Sequence, residues 1–390
     1  MVYGLLDTRS LAVRTSIAIA GLLTIAISIA GVTKSYNPIS LTAYTGHSGR
    51  GEAGGLNDVL NQTLGFQQIF VINLPSRTDH RDSMSLAAAL TPGGLRLDYV
   101  DGVTNVSQKA LPPGGDNSRH KPGMIGAWRA HINVLRTIVE QNITSALVME
   151  GDVDWDVRIK SQMYDFARAS RLLVQPGAED QTFELNDSLS SAPLSSPYGE
   201  IQHWDILWLG HCGTEFPKTE TGIHSGRVVI PNDETVPEPQ HFDKEWGSDA
   251  LIRQYAEHTR VVHRARMNVC SLAYGISQQG ARRLLYELGI KKLNGAMDIM
   301  MREACDGDAG IARHNCLTVQ PQLFQHHRPA GSRSRFSEIE DHGHGINDFA
   351  YTRNVRWSTK LNLEKLLRGE TDYLDQWQDG VQAKKSAFPE

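Results

Sequence analysis

Short apolar runs alternate with helical patterns along the central part of the chain. Residues 68–74 (QIFVINL) are almost wholly apolar and are closed by Pro75, the pattern of a strand buried on both faces. Residues 77–89 have helical character, and residues 97–100 read as a second strand. Residues 123–141 place Trp128, Ile132, Leu135 and Val139 at helical spacing, so this segment reads as a helix with one apolar face. A third strand, residues 145–149, follows at once. The order strand, helix, strand, helix, strand predicts an α/β fold on a right-handed parallel sheet, whose ligands bind beyond the carboxyl ends of the strands.

Further along, residues 159–171 read as a helix, 203–210 (HWDILWLG) and 270–276 (CSLAYGI) as strands, and 277–288 as a helix with Ser277 at its N-cap. Residues 178–199, rich in Ser and Pro, read as a loop, and residues 218–245 as a long irregular excursion. No internal repeat is present.

The N-terminus supplies an address. Residues 16–32 (SIAIAGLLTIAISIAGV) carry no charge and lie between Arg9 and Arg14 on one side and Lys34 on the other. This is a signal-anchor slightly shorter than a full span, or a signal peptide cleaved after the small residues Ser28 and Ala30. The preceding arginines favour a cytosolic N-terminus. The chain is therefore expected to divide into a cytosolic tail with signal-anchor or signal peptide (1–33), a stem (34–65), a folded domain (66–340) and a peripheral C-terminal extension (341–390). Sequons at Asn61, Asn105, Asn142 and Asn186 agree with a luminal location. Cys212, Cys270, Cys305 and Cys316 all follow the apolar segment; they form disulfides in one of three pairings or remain buried thiols. A net charge of −5 argues against a general nucleic-acid binder, and 40% apolar with 21% charged residues is globular composition.

The densest candidate for chemistry is Val148-Met149-Glu150-Gly151-Asp152-Val153-Asp154. Closely spaced carboxylates at the end of a buried strand suit a hard divalent cation shared with the two phosphates of a nucleotide sugar. Asn73 ends the first strand, where it bonds a base or ribose or caps the turn. His211 and the pair His326-His327 either line the cleft or are solvated loop histidines, and His342 with His344 lack further ligands at zinc spacing.

Several segments resemble glycosyltransferase family 25, the lipopolysaccharide-type and collagen-type galactosyltransferases, and particularly its fungal members. Phe70-Val71-Ile72-Asn73-Leu74 with Arg77 and Arg81 is similar to the family's opening strand and arginine pattern. Gly126, Trp128 and His131 resemble its G-x-W-x-x-H helix, and residues 146–152 resemble its strand ending in Glu-Asp-Asp. Ala273 to Ser277 with Gly280-Ala281, then Met297-Asp298, then Pro321 with Gln325, resemble later family segments in the family's order. Gly151 departs from the pattern where the family usually has its middle aspartate, and His80 is a milder departure.

The resemblance implies a GT-A-like, Rossmann-like domain and an inverting transfer of a sugar, galactose foremost, from a UDP-sugar to an acceptor hydroxyl. It implies that Asp152, with Asp154 and Glu150, holds Mn²⁺ or Mg²⁺ and the diphosphate. Arg77 and Arg81 then meet the nucleotide phosphates, His131 contacts the donor, and Asp298 is the general base. The partners implied are a nucleotide-sugar donor and a glycan or protein acceptor. The location is a Golgi or endoplasmic-reticulum lumen, as a single-pass type II membrane protein or a secreted one. The alternative raised by Gly151 is a weak or inactive pseudoenzyme that binds sugar or nucleotide on the same fold.

Overall fold

The computed structural model describes residues 55–187, 194–242, 248–339, 343 and 345–382. The apolar N-terminal segment, most of the stem, and His342 and His344 lie outside the described residues. Among the described residues no helix is long and apolar enough to cross a membrane.

The chain folds first as β1 (Gln68–Asn73), α1 (Thr78–Leu90), β2 (Asp98–Asp101), α2 (Pro122–Glu140) and β3 (Ser145–Glu150). Strands β2 and β3 flank β1 in parallel, which is the predicted opening unit. The continuous apolar runs have a direct cause. Alternate side chains of a strand face opposite ways, and both faces here are covered. Ile69 and Val71 of β1, with Leu147 and Met149 of β3, enter one core cluster; Phe70, Ala146 and Val148 enter the other, beside α2. Helix α2 begins with Pro122, whose missing N–H costs nothing in the first turn. A Cβ on its Gly126 would lie 2.0 Å from Val103 O, so only glycine lets that loop cross the helix.

Next come β4 (Val153–Trp155), α3 (Ile159–Val174), β5 (Thr182–Glu184), β6 (Ile206–Gly210), β7 (Arg227–Ile230) and α4 (Ala250–Gln254). The remainder is β8 (Arg260–Arg264), β9 (Ala273–Ser277), α5 (Gln278–Tyr286), α6 (Met297–Asp306), β10 (Cys316–Gln320), β11 (Phe324–Arg328) and α7 (Leu363–Leu367). The main sheet runs β2-β1-β3-β9-β6-β10-β8-β7-β5.

The result is a mixed α/β fold of the Rossmann-like kind, but the sheet is not all parallel. Strand β9 lies antiparallel between β3 and β6, and β8 antiparallel between β10 and β7. Strand β9 follows β8 through a loop that contains Cys270, but the two strands are not paired: β6 and β10 lie between them in the sheet. Segments that read as loop or irregular chain contain β5 and β7, which extend the sheet edge. They are too short for their period to show.

Cysteines pair as Cys212–Cys270 and Cys305–Cys316. The larger departure from expectation is at the C-terminus. Tyr351–Thr352 pairs antiparallel with β11, which itself pairs with β4, and Ser358 bridges to Asp156. Thr352, Ser358, Thr359 and Asn362 are fully buried, so this part of the segment read as a peripheral extension is packed into the domain. Beside the buried Tyr351 and Val355, most of its buried residues are polar and hydrogen-bonded, a pattern that hydropathy does not mark.

Candidate active site

Strand β3 delivers Glu150 to its carboxyl end, the chain turns at Gly151, and Asp152 follows just before β4. Strand β11 pairs with β4 so that His326 stands opposite Val153, next to Asp152. Glu150, Asp152 and His326 each bring one ligand atom into a group whose members lie within 4.8 Å of one another. Two carboxylates and an imidazole form a donor set that fits a divalent cation, with the nitrogen favouring Mn²⁺ over Mg²⁺.

Each member is oriented by neighbours. Glu150 Oε1 accepts a hydrogen bond from Ser271 Oγ at 2.8 Å and lies 3.6 Å from His131 Nε2. His131 is buried, with Nδ1 3.0 Å from the Tyr274 hydroxyl. It therefore lies behind Glu150, held between that carboxylate and Tyr274. Asp152 Oδ2 lies 3.6 Å from His326 Nε2 and 3.9 Å from an Arg328 guanidinium nitrogen. Burial alone would raise the Asp152 carboxyl, but His326, Arg328, His80 and Lys360 together hold it below the usual carboxylate range.

Asp154 stands apart from this group. It is fully buried; Oδ1 accepts from Trp155 N at 2.8 Å and Lys360 N at 3.1 Å. Oδ2 accepts from Thr352 Oγ1 at 2.7 Å and from Ser358 Oγ. Where the sequence suggested a further metal ligand, the structure has a carboxylate that fastens the C-terminal segment to β4.

The absent middle aspartate also has a local explanation. A Cβ on Gly151 would fall 2.5 Å from Asn73 Oδ1 and 3.2 Å from Ile72 O. Asn73 is buried, its Nδ2 donates to Leu74 O and Arg77 O, and its Oδ1 has no partner among the described residues. It caps the turn after β1 and fills the space that a side chain at position 151 would need.

Arg77 is half-buried and already paired. Nε donates to Asp79 Oδ1 at 2.9 Å, and NH1 pairs with Glu338. Arg81 is exposed, its guanidinium 4.3 Å above the Tyr99 ring. Asp298 sits in the first turn of α6, and its Oδ2 accepts from Cys270 N at 2.8 Å, one residue from the Ser271 that holds Glu150. The structure thus links Asp298 to the acidic group through the 270–271 turn.

His326 and His327 lie on a strand, half-buried, and His211 is buried with Nε2 2.9 Å from Val319 O; none is a solvated loop histidine. Ser271, Arg328 and Lys360 were missed at the sequence level. The two adjacent histidines on one short segment were the available signal for this face of the site, and Lys360 carried none.

No family model matches the chain. Individual proteins do. The chain is similar to procollagen galactosyltransferases. It is 30% identical to procollagen galactosyltransferase 1-A of Xenopus laevis over 185 residues, 44% of this chain and 25% of that protein. It is 23% identical to procollagen galactosyltransferase 2 of Homo sapiens over 181 residues, again 44% of this chain and 25% of that protein. With procollagen galactosyltransferase 1 of Danio rerio it shares 31% identity over 111 residues, 26% of this chain and 18% of the relative. The chain thus spans about a quarter or less of the curated relatives it matches.

Proposed function

We propose that this protein is a glycosyltransferase that moves a sugar, galactose foremost, from a UDP-sugar to an acceptor hydroxyl by a metal-assisted inverting displacement. The observation that carries the reading is the Glu150, Asp152 and His326 group at the carboxyl end of β3. Similarity to galactosyltransferases supports the reaction class. A GT-A-like arrangement of the sheet is part of the same reading.

Glu150, Asp152 and His326 would hold the cation, which supplies positive charge against the departing diphosphate. Ser271 and His131 fix Glu150, so that its carboxylate is oriented before a donor arrives. Arg77 would reach a donor phosphate by exchanging one of its carboxylate partners, and Arg81 with Tyr99 offers a flat cationic surface to the nucleotide. Asp298 would take the acceptor proton as the acceptor oxygen attacks the anomeric carbon and the diphosphate leaves from the other face.

The pseudoenzyme alternative rests on Gly151. His326 supplies a third ligand atom beside Glu150 and Asp152, which favours the active reading. Exposure of Asn61, Asn105, Asn142 and Asn186, with two disulfides, supports a luminal or secreted location.

The test is transfer and hydrolysis from a panel of UDP-sugars with Mn²⁺, Mg²⁺ or EDTA, on wild type and Asp298→Asn. Metal-dependent release of UDP from one donor, with kcat lost and donor KM kept in the variant, is the expected result. Binding without release in any metal would sink the transferase reading, and equal loss in kcat and donor affinity would remove Asp298 as the base.

A further inference from the structure

Lys360 opens the short turn Lys360–Asn362 in the C-terminal segment and is only 8% exposed. Its main-chain N–H donates to Asp154 Oδ1 at 3.1 Å. The preceding residues fix the same turn, Ser358 through its hydroxyl to Asp154 and Thr359 through its N–H to Trp155 O at 2.8 Å. The backbone at Lys360 is thus anchored to β4, which begins one residue after Asp152.

The ammonium group has no such anchor. It lies in the field of Asp154, Asp152 and Asp79, and of the imidazoles of His80 and His327. Yet it forms no ion pair and no hydrogen bond with any described residue. Nor is it needed to neutralise its acidic neighbours individually. Asp154 is satisfied by its hydrogen bonds, and Asp152 faces His326 and Arg328. A buried, unpaired ammonium is costly to fold, and such groups are found where a ligand completes them.

We infer that Lys360 binds the diphosphate of the nucleotide donor, as a cation contributed by the C-terminal segment beside the Glu150, Asp152 and His326 group. This rests on the donor reading above. A diphosphate brings several negative charges into a site rich in carboxylates, so it needs fixed positive charge besides any metal. The chain places Lys360 there through hydrogen bonds that do not involve its side chain, which leaves the ammonium free for the ligand.

The experiment is calorimetric titration of the full chain with UDP, in EDTA and in Mn²⁺, for wild type, Lys360→Met and Lys360→Arg, with a separate titration of Mn²⁺ alone. Wild type should bind UDP in EDTA. Lys360→Met should weaken that binding on the order of 30-fold, as expected when one partner of a buried charge pair is truncated. Lys360→Arg should keep most of it, and Mn²⁺ affinity should fall in neither variant, since removal of a cation from the field of Asp152 can only favour a metal ion there.

Equal UDP affinity in wild type and Lys360→Met would overturn the inference, as would a parallel loss of Mn²⁺ affinity. A wild type that binds UDP neither with Mn²⁺ nor in EDTA would overturn the donor reading, and this inference with it. Should Lys360→Met not fold, acylation of the wild-type amine decides: shielding of Lys360 by UDP supports the assignment, and unchanged labelling refutes it.

Discussion

The turn after β3 and the C-terminal segment from Tyr351 to Asn362 meet at one site, yet they are buried by opposite means. Strand β3 is buried as apolar side chains, Ala146 to Met149, between two core clusters. The C-terminal segment buries Tyr351 and Val355 but is buried mainly as Thr352, Asn354, Ser358, Thr359, Lys360 and Asn362, with hydrogen bonds to Asp154 and within the segment. Apolar burial is a property of each residue and leaves a period in the sequence. Polar burial depends on partners far apart in the chain, so it leaves none. Asp154 is where the two meet, and it looked like Asp152 until its partners were seen.

The comparison breaks most visibly at Asp152 and Asp154. Asp152→Asn should lower metal-dependent turnover about a thousand-fold, the scale of losing a main electrostatic contributor, while melting like wild type. Retained activity in a steady-state assay would remove Asp152 from the metal group. Asp154→Ala should instead cost about 3 kcal/mol of stability, because it strands several buried donors. It should also expose the C-terminal segment to limited proteolysis; an unchanged melting curve and digest would contradict its fastening role.

Position 151 tests how closely Asn73 is fitted to the turn. Gly151→Asp should destabilise by about 2 kcal/mol from overpacking against Asn73 Oδ1, and Asn73→Ala in the same chain should recover much of that loss. Additive losses in denaturant titrations would show that the two positions are not coupled.

Polar burial away from the site should show itself in acid. His263 is fully buried; its Nδ1 lies 2.7 Å from Arg264 O and its Nε2 2.8 Å from Gln320 Nε2, an arrangement that suits the neutral ring. Burial pushes His263 down to about 3 and His211 down to about 4. The unfolded chain takes up these protons first, near pH 6.5, so stability is full above that value and falls as pH drops toward 4. Each histidine should remove about 1.4 kcal/mol per pH unit in that window. Melting midpoints measured from pH 7 to pH 5 should fall, and His263→Gln should flatten the slope; an equal slope in that variant would exclude His263 as a source.

The legible parts of the molecule follow the same division. Strands β1 and β3, helices α1 to α3 and the turn carrying Glu150 and Asp152 stand close to where periodicity placed them. Strand β9 and its Ser277 cap also stand there, but the antiparallel direction of β9, the short edge strands β5 and β7, the pairing of Cys212 with Cys270 and the role of Lys360 left no such mark. Each depends on a contact between segments distant in sequence that no local pattern records. His326 lies between these cases, visible as one of two adjacent histidines but placed only by the pairing of β11 with β4.

The most direct measurement is Mn²⁺ binding by calorimetry to wild type, Asp152→Asn, His326→Ala and Asp154→Asn. Loss of binding in Asp152→Asn and His326→Ala, with Asp154→Asn still binding but melting earlier, is the predicted result. Mn²⁺ affinity that survives without Asp152 and His326, or that vanishes only with Asp154, would contradict a metal centre built from Glu150, Asp152 and His326.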